Sequence, residues 1–229
     1  MNFKNKTPNR SYARARAGAM RGCARLGAAL AAALAFGAGA ARAQGAPSSS
    51  DFAAQYAVAA SSAARLDAVM AAIRSAQPSQ ISWLAPAFGS EQEPSIRAWI
   101  LRAAARLDAP AEIPLFERGL NDPSAWVRLA AVECLGKAGG AQAASDLAAA
   151  LAQEENPGVR ASAAYWLGRT GGPAAAAALG QALGQDGNPN VRIQAARSLE
   201  AIGGSAARGA LRRARNDPDP RVRQAAGGS

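Results

Sequence analysis

The sequence predicts an all-α protein, an α-solenoid of about five helix-pair repeats with a period of 31–32 residues. A hydrophobic-Arg pair recurs at that spacing along the chain: Ile96-Arg97, Val127-Arg128, Val159-Arg160, Val191-Arg192 and Val222-Arg223. A leucine follows eight residues after the three central valines, at 135, 167 and 199. Another leucine stands twelve residues before four of the pairs, at 84, 115, 147 and 179. Markers that keep one register over several units are typical of a repeat array.

Each unit is expected to contain two helices. Between Val127 and Leu135 the apolar residues fall at offsets of 0, 4, 5 and 8, which is one face of an α-helix. Gly-Gly pairs at 139–140, 171–172 and 203–204 stop this first helix, because glycine readily adopts the left-handed conformation that ends helices. The second helix begins after them, with Pro173 suited to a first turn and Ser205 to an N-cap.

Residues 188–204, Asn-Pro-Asn-Val-Arg-Ile-Gln-Ala-Ala-Arg-Ser-Leu-Glu-Ala-Ile-Gly-Gly, carry a family resemblance. They resemble the short HEAT-like repeats of phycobilisome (PBS) lyases, and the resemblance extends from about Glu93 to the C-terminus. It implies a superhelix of stacked helix pairs. For function it implies attachment of a bilin to a protein, although one fold hosts unrelated activities.

Residues 1–43 are predicted to be an export signal. Seven Lys and Arg residues and no acid precede an apolar run from Leu26 to Ala40, and Ala41-Arg42-Ala43 offers a cleavage site before Gln44. The alternative is a retained membrane anchor, but the apolar run is shorter than the roughly 20 residues that span a bilayer. We therefore expect a periplasmic or secreted protein cleaved after Ala43.

Removal of this leader changes the charge argument. The whole chain carries a net charge of +10, which by itself favours a nucleic-acid partner. Eight of the 26 basic residues and none of the 16 acidic residues lie within 1–43, so the remainder has 18 basic and 16 acidic residues. A net charge of +2 gives no reason to expect nucleic-acid binding.

The remaining chain is divided into three parts. Residues 44–50 are expected to form a disordered linker, because they are rich in Gly, Ala, Pro and Ser. Residues 51–92 are expected to hold a helical cap with Phe52 and Tyr56, and a degenerate repeat in which Asp67 replaces the recurring arginine. The HEAT-like array occupies 93–229 and ends in a short stub, Arg221–Ala226, expected to lie on the preceding helices as a frayed lid.

The recurring arginines are the most regular polar feature of the chain: Arg97, Arg128, Arg160, Arg192 and Arg223. We expect a structural ladder, in which each guanidinium binds loop carbonyls or a turn acid such as Glu93, Asp122, Asp186 or Asp217. The alternative is a cationic track for an anionic ligand. Glu154-Glu155 is interpreted as a solvated turn.

Catalytic chemistry finds little support in the sequence. The chain contains no His, which excludes the commonest general base and imidazole metal ligand. The single Cys after the leader, Cys134, is interpreted as a small buried apolar residue, with a nucleophile or redox thiol as the alternatives. No catalytic, cofactor or metal site is predicted.

The predicted function is that of an exported, non-catalytic, monomeric scaffold that binds a protein partner in the cell envelope. Trp126, next to Val127, is a candidate partner contact, and so are Arg208, Arg212 and Arg215, which share one helix face. For these arginines a solvated end-cap is the alternative, as is contact with an anionic membrane surface. The alternative function is a lyase-like enzyme or enzyme subunit of the PBS-lyase type.

Overall fold

The structure, a computed structural model, describes residues 49–75 and 78–227. The predicted leader, its cleavage site and residues 44–48 lie outside these ranges. Within them the chain forms twelve α-helices, one 3-10 helix over Pro78–Trp83, and no strand. The α-helices are α1 Ser49–Val58, α2 Ser62–Ser75, α3 Leu84–Ser90, α4 Pro94–Asp108, α5 Ile113–Leu120, α6 Ala125–Ala138, α7 Gly140–Gln153, α8 Pro157–Thr170, α9 Gly172–Gln185, α10 Pro189–Ile202, α11 Gly204–Ala214 and α12 Pro220–Ala225.

The helices stack as consecutive pairs in two layers. The first helices of the repeats, α4, α6, α8 and α10, pack against one another in order, and so do the second helices, α5, α7, α9 and α11. The repeated leucines fill the space between the layers, and those at 135, 147, 167, 179 and 199 are at most 1% exposed. The predicted all-α solenoid is confirmed. In the described part of the chain, no helix combines the length and apolarity needed to cross a membrane.

Gly-Gly turns join the first and second helices of the three central repeats. Gly139, Gly171 and Gly203 have φ near +70° and ψ between −157° and −166°, a backbone region that is essentially restricted to glycine. The second helix starts directly at the following glycine. Ser205 therefore lies inside the first turn of α11 and is not its N-cap, which is Gly203.

Both ends of the stack differ from the expectation. Helix α1 includes Ser49 and Ser50, which the sequence analysis assigns to the linker. At the other end, α12 is a packed helix and not a frayed lid. Val222 is fully buried there because α12 packs against α10 as each first helix packs against the previous one.

Candidate functional site: the arginine ladder and the exposed surfaces

Arg97 shows how one rung of the ladder is built. Its Nε and Nη2 donate to the two carboxylate oxygens of Asp122 in the next turn, at 2.7 and 2.9 Å. Its Nη1 donates to the backbone carbonyls of Glu91 and Gln92, at 3.1 and 2.8 Å. The planar guanidinium thus binds two turns at once, which is the geometry that its fixed fork of donors favours.

The same arrangement recurs in the next three repeats. Arg128 binds Glu154, Arg160 binds Asp186 and Arg192 binds Asp217, with all six N–O distances between 2.7 and 2.9 Å. Each carboxylate also accepts the backbone N–H two residues later, at 2.8–2.9 Å, so that it fixes its own turn. The rungs therefore connect each repeat to the next one.

A further pair lies before the predicted ladder. Arg65 of α2 donates to Glu91 from Nε and Nη2, and the hydroxyl of Tyr56 donates to the same carboxylate. The degenerate repeat therefore retains its arginine, one residue before Leu66, and Asp67 does not replace it. The signal was present in the sequence, because Arg65 precedes Glu91 by 26 residues, the spacing of Arg128 and Glu154.

Two acids were assigned wrongly at this edge. Glu93 does not pair with Arg97, because the backbone of the turn places the carboxylate of Glu91, not that of Glu93, against an arginine. Glu154 is not part of a solvated turn, since its side chain is only 9% exposed in its pair with Arg128. Its neighbour Glu155 is exposed.

The ladder lowers the pKa of four carboxylates, those of Glu91, Glu154, Asp186 and Asp217. Burial alone opposes ionisation of Glu91, but hydrogen bonds from Arg65, Tyr56 and the Glu93 amide outweigh it and lower the pKa to about 2. The hydrogen bond from Arg128 lowers the pKa of Glu154, and that from Arg192 lowers the pKa of Asp217. These groups are ionised at neutral pH, and their charge is used within the fold.

Trp126, one of the predicted partner contacts, is the most exposed aromatic residue that the structure describes. It is 70% exposed at the start of α6, and Tyr165 on α8 is 45% exposed. Sequence reasoning did not single out Tyr165, because its position in the repeat is occupied by charged residues in the neighbouring units. Arg208 and Arg212 on α11, and Arg215 at its end, are also exposed.

Trp99 and Trp166 are partly buried. Gly136 in the preceding repeat makes room for Trp166, because a Cβ there would overlap the indole ring. Gly168 makes room in the same way for Ser198, whose hydroxyl donates to the Ala164 carbonyl at 2.8 Å. The guanidinium of Arg169 lies 5.7 Å from the centre of the Trp166 ring.

The described residues offer no obvious reactive group. Cys134 is fully buried, and burial raises the pKa of its thiol to about 12, so the nucleophilic thiolate is suppressed. Within 49–75 and 78–227 no group of three or more His, Cys, Asp or Glu side chains is placed to hold a metal ion.

The family follows from a comparison of the sequence with protein-family models. The chain matches the model for HEAT repeats over residues 81–165 and 144–229. It belongs to the HEAT-repeat family. The resemblance drawn from residues 188–204 is thereby confirmed for the fold, and the Arg ladder is a feature of this HEAT-repeat array. A comparison with curated proteins finds no match.

Solved structures resemble this HEAT-repeat chain at low sequence identity. The complex of CpcE and CpcF of phycocyanin lyase from Nostoc sp. PCC7120 is 17% identical, with a TM-score of 0.55 over 83% of this chain and 78% of that one. An engineered protein is also 17% identical, with a TM-score of 0.50 over 77% and 94%. Human deoxyhypusine hydroxylase with glycerol is 20% identical, with a TM-score of 0.40 over 78% and 93%. The first two similarities concern the fold alone.

Proposed function

We propose that this HEAT-repeat protein is an exported, non-catalytic scaffold that binds a protein partner in the cell envelope. The observation that carries the proposal is that the ladder arginines are bound within the fold, whereas large aromatic side chains are exposed to solvent. Each recurring arginine from Arg65 to Arg192 binds a carboxylate at one edge of the stack, while large aromatic side chains remain exposed on the first-helix layer. Exposed aromatic residues of this kind are frequent centres of protein–protein contacts.

The aromatic surface consists of Trp126 and Tyr165. Both residues belong to first helices, α6 and α8, which pack against each other in adjacent repeats. A partner that covers this surface removes two large apolar side chains from water without any rearrangement of the stack. This surface can therefore bind a partner while the core and the ladder stay unchanged.

Site-specific photo-crosslinking in intact cells tests this assignment. A photoreactive amino acid in place of Trp126 is expected to yield a discrete crosslinked partner, which mass spectrometry identifies. The matched control places the same group at Ala177, an exposed position on α9 in the other layer. The absence of any adduct at position 126, or the same adducts from both positions, would contradict the proposed surface.

Export is part of the proposal and has its own test. Expression of the full chain in a bacterium, followed by mass determination of the mature protein, is expected to give a chain that begins at Gln44 and is recovered outside the cytoplasm. Recovery of a chain that retains residues 1–43 in the cytoplasm would remove the envelope location and leave the scaffold role untouched.

Contact with a membrane surface is the competing role for the exposed basic residues of α11. Replacement of Arg208, Arg212 and Arg215 by Gln removes three charges from this face. Retention on anionic liposomes that is unchanged by the triple replacement would exclude a membrane role for these arginines. A loss of retention would direct the proposal from a protein partner to a lipid surface.

A lyase-like role is the alternative, and the similarity to the phycocyanin lyase complex is the observation that favours it. Against it stand the lack of His in the sequence and the burial of Cys134. Incubation of the protein with a bilin and an acceptor protein separates the two functions. A covalent bilin adduct on the acceptor would favour the lyase role.

A further inference from the structure

The first described rung of the ladder differs from the others at one arm of its arginine. In the later repeats Nη1 donates to the backbone carbonyls five and six residues earlier, at 2.8–3.4 Å. The arginines bound in this way are Arg97, Arg128, Arg160, Arg192 and Arg223. Arg65 is likewise the fourth residue of its helix, and its Nε and Nη2 bind Glu91 as described above. Its Nη1 has no acceptor among the described residues, and its side chain is 24% exposed, against 12% for Arg97.

The turn before Arg65 explains this difference. In the later repeats the residue six positions before the arginine is a ladder acid, whose carboxylate accepts the backbone N–H two residues after it and so fixes the turn. Ala59 stands six positions before Arg65 and has no carboxylate that could hold its turn in this way. The carbonyls of Ala59 and Ala60 therefore do not reach Nη1, and this arm of the guanidinium is left for another acceptor.

Arg65 also lines a cavity of about 740 Å³, formed by residues of α1, α3 and the turns beside them. Its lining is mostly small or apolar and includes Ala53 and Ala57 of α1. The buried rings of Tyr56 and Trp83, with their centres 5.5 Å apart, belong to the same lining. Cavities that bind ligands in proteins typically measure about 300–1,000 Å³ and combine apolar walls with a few polar groups. This cavity therefore has the size and composition of a binding site.

We propose that this cavity binds an extended, uncharged segment of the partner protein, with backbone carbonyls of that segment on Nη1 of Arg65. The inference rests on the proposed scaffold function and adds a contact separate from the aromatic surface of Trp126 and Tyr165. The bound carbonyls take the places that those of Glu91 and Gln92 take on Arg97. Glu91 has an extended backbone, with φ −73° and ψ 129°, so an extended segment offers its carbonyls in a similar way.

The charges at the cavity favour a carbonyl over a carboxylate as the acceptor. The positive charge of Arg65 is already matched by Glu91, whose side chain is 1% exposed and bound at 2.7 Å. A second carboxylate on the same guanidinium would be repelled by Glu91 across a short distance. A neutral carbonyl supplies the hydrogen bond without adding charge, and apolar side chains next to it are removed from water against the alanines.

Selection of displayed random peptides on the purified protein tests the site and supplies the probe. We expect the enriched peptides to share a stretch of apolar, uncharged residues. Binding of a dye-labelled synthetic copy of the most enriched peptide is then measured by fluorescence anisotropy. Ala57→Trp fills the cavity from α1 and is expected to weaken this binding by more than about tenfold. Ala54→Trp is the matched control, because Ala54 is exposed on the same helix and does not line the cavity, and its effect is expected to stay within about twofold.

Arg65→Lys tests the hydrogen bond itself. Lysine retains the charge beside Glu91 but lacks the Nη1 arm, so peptide binding is expected to fall about tenfold. Arg128→Lys is the matched control, since Nη1 of Arg128 is already bound to the carbonyls of Asp122 and Pro123, and its effect is expected to stay within about twofold. Thermal unfolding of each variant checks the fold. If Arg65→Lys unfolds early, the comparison of Ala57→Trp with Ala54→Trp decides, because it leaves the ladder intact.

Equal losses of binding from Ala57→Trp and Ala54→Trp would overturn the proposal, and so would the absence of any enriched peptide. Enrichment of acidic peptides would overturn it as well, because it would reduce the effect to charge attraction. Peptides that repeat a stretch of this chain would assign the cavity to the chain itself and not to a partner. None of these results touches the aromatic surface, which is tested by the crosslinks from position 126. Failure of those crosslinks together with Arg65-dependent peptide binding would remove the aromatic surface and leave the cavity as a peptide site.

Discussion

The two edges of the helix stack are held by different interactions. At the ladder edge, formed by the turns around Glu91, Asp122, Glu154, Asp186 and Asp217, side-chain bonds reach from one repeat to the next. At the glycine edge, formed by the turns at 139–140, 171–172 and 203–204, no side chain caps the second helices, and a Cβ on these glycines would meet no atom within 4 Å. The ladder edge therefore couples neighbouring repeats, whereas the glycine edge only sets the chain direction within one repeat.

Acid is expected to have the largest effect, and to weaken the ladder edge and not the glycine edge. The folded pKa values of Glu91, Glu154, Asp186 and Asp217 are lowered, that of Glu91 to about 2, whereas carboxyl groups in the unfolded chain titrate near pH 4. The stabilisation is therefore fully present above about pH 4 and is lost as the pH falls through the folded pKa values. Thermal unfolding between neutral pH and pH 2 measures this loss. A midpoint that stays constant over this range would contradict the structural role of the ladder.

A replacement in the hydrophobic core between the two edges gives a cost in stability with which changes at either edge can be compared. Leu167, on α8, is 1% exposed, so Leu167→Ala removes a fully buried side chain and is expected to cost about 2–5 kcal/mol. Urea denaturation measures the change, and an unchanged midpoint would contradict the burial of Leu167. The cost is expected to be independent of pH, unlike that of any change in the ladder.

Much of this architecture follows from sequence periodicity, because the repeated leucines and arginines report the same register. The ladder acids are harder to predict. Asp122, Asp186 and Asp217 stand beside turn prolines or glycines, whereas Glu154 and Glu155 look equally solvated until the turn is built. The prediction that Asp67 replaces the recurring arginine is wrong because it does not use the distance to the paired acid, and Glu91 lies 26 residues after Arg65.

The burial of Trp166 could not be predicted from the sequence of its own helix either. Its exposure depends on Gly136, which lies 30 residues earlier and contributes no side chain. Periodicity places a residue on a helix face, but it does not predict how much of that side chain the neighbouring repeat buries. The partial exposure of Trp166 is for this reason a structural finding.

At the ladder edge, single replacements of two neighbouring acids compare a paired carboxylate with an exposed one. Glu154→Gln removes the charge that Arg128 binds and is expected to cost about 1.5–3 kcal/mol, the range for hydrogen bonds to charged groups. Glu155→Gln is the control one residue away, on an exposed side chain, and is expected to change stability by less than about 0.5 kcal/mol. Chemical denaturation measures the free energy of unfolding of both variants. Equal losses would mean that the pair of Arg128 with Glu154 does not contribute to stability.

The glycine edge is expected to respond to backbone conformation only. Gly171→Ala places a side chain at φ +72° and ψ −166°, and should cost about 1–3 kcal/mol through strain, since no neighbour is in the way. Gly184→Ala, in a helical and equally open position of α9, should instead stabilise the protein by about 0.5–1 kcal/mol. Thermal unfolding distinguishes the two, and a shift of the same sign in both variants would argue against a conformational role for the Gly-Gly turns.

The coupling of neighbouring repeats by the ladder is tested most directly by a double-mutant cycle on Arg128 and Glu154, with Arg128→Gln, Glu154→Gln and the double variant compared by urea denaturation. Nη2 and Nε of Arg128 both bind the Glu154 carboxylate at 2.8 Å across the repeat boundary, so we expect a coupling free energy of at least about 1 kcal/mol. Effects that add within about 0.5 kcal/mol would show that the two side chains act independently, and would contradict the view that the ladder joins the repeats.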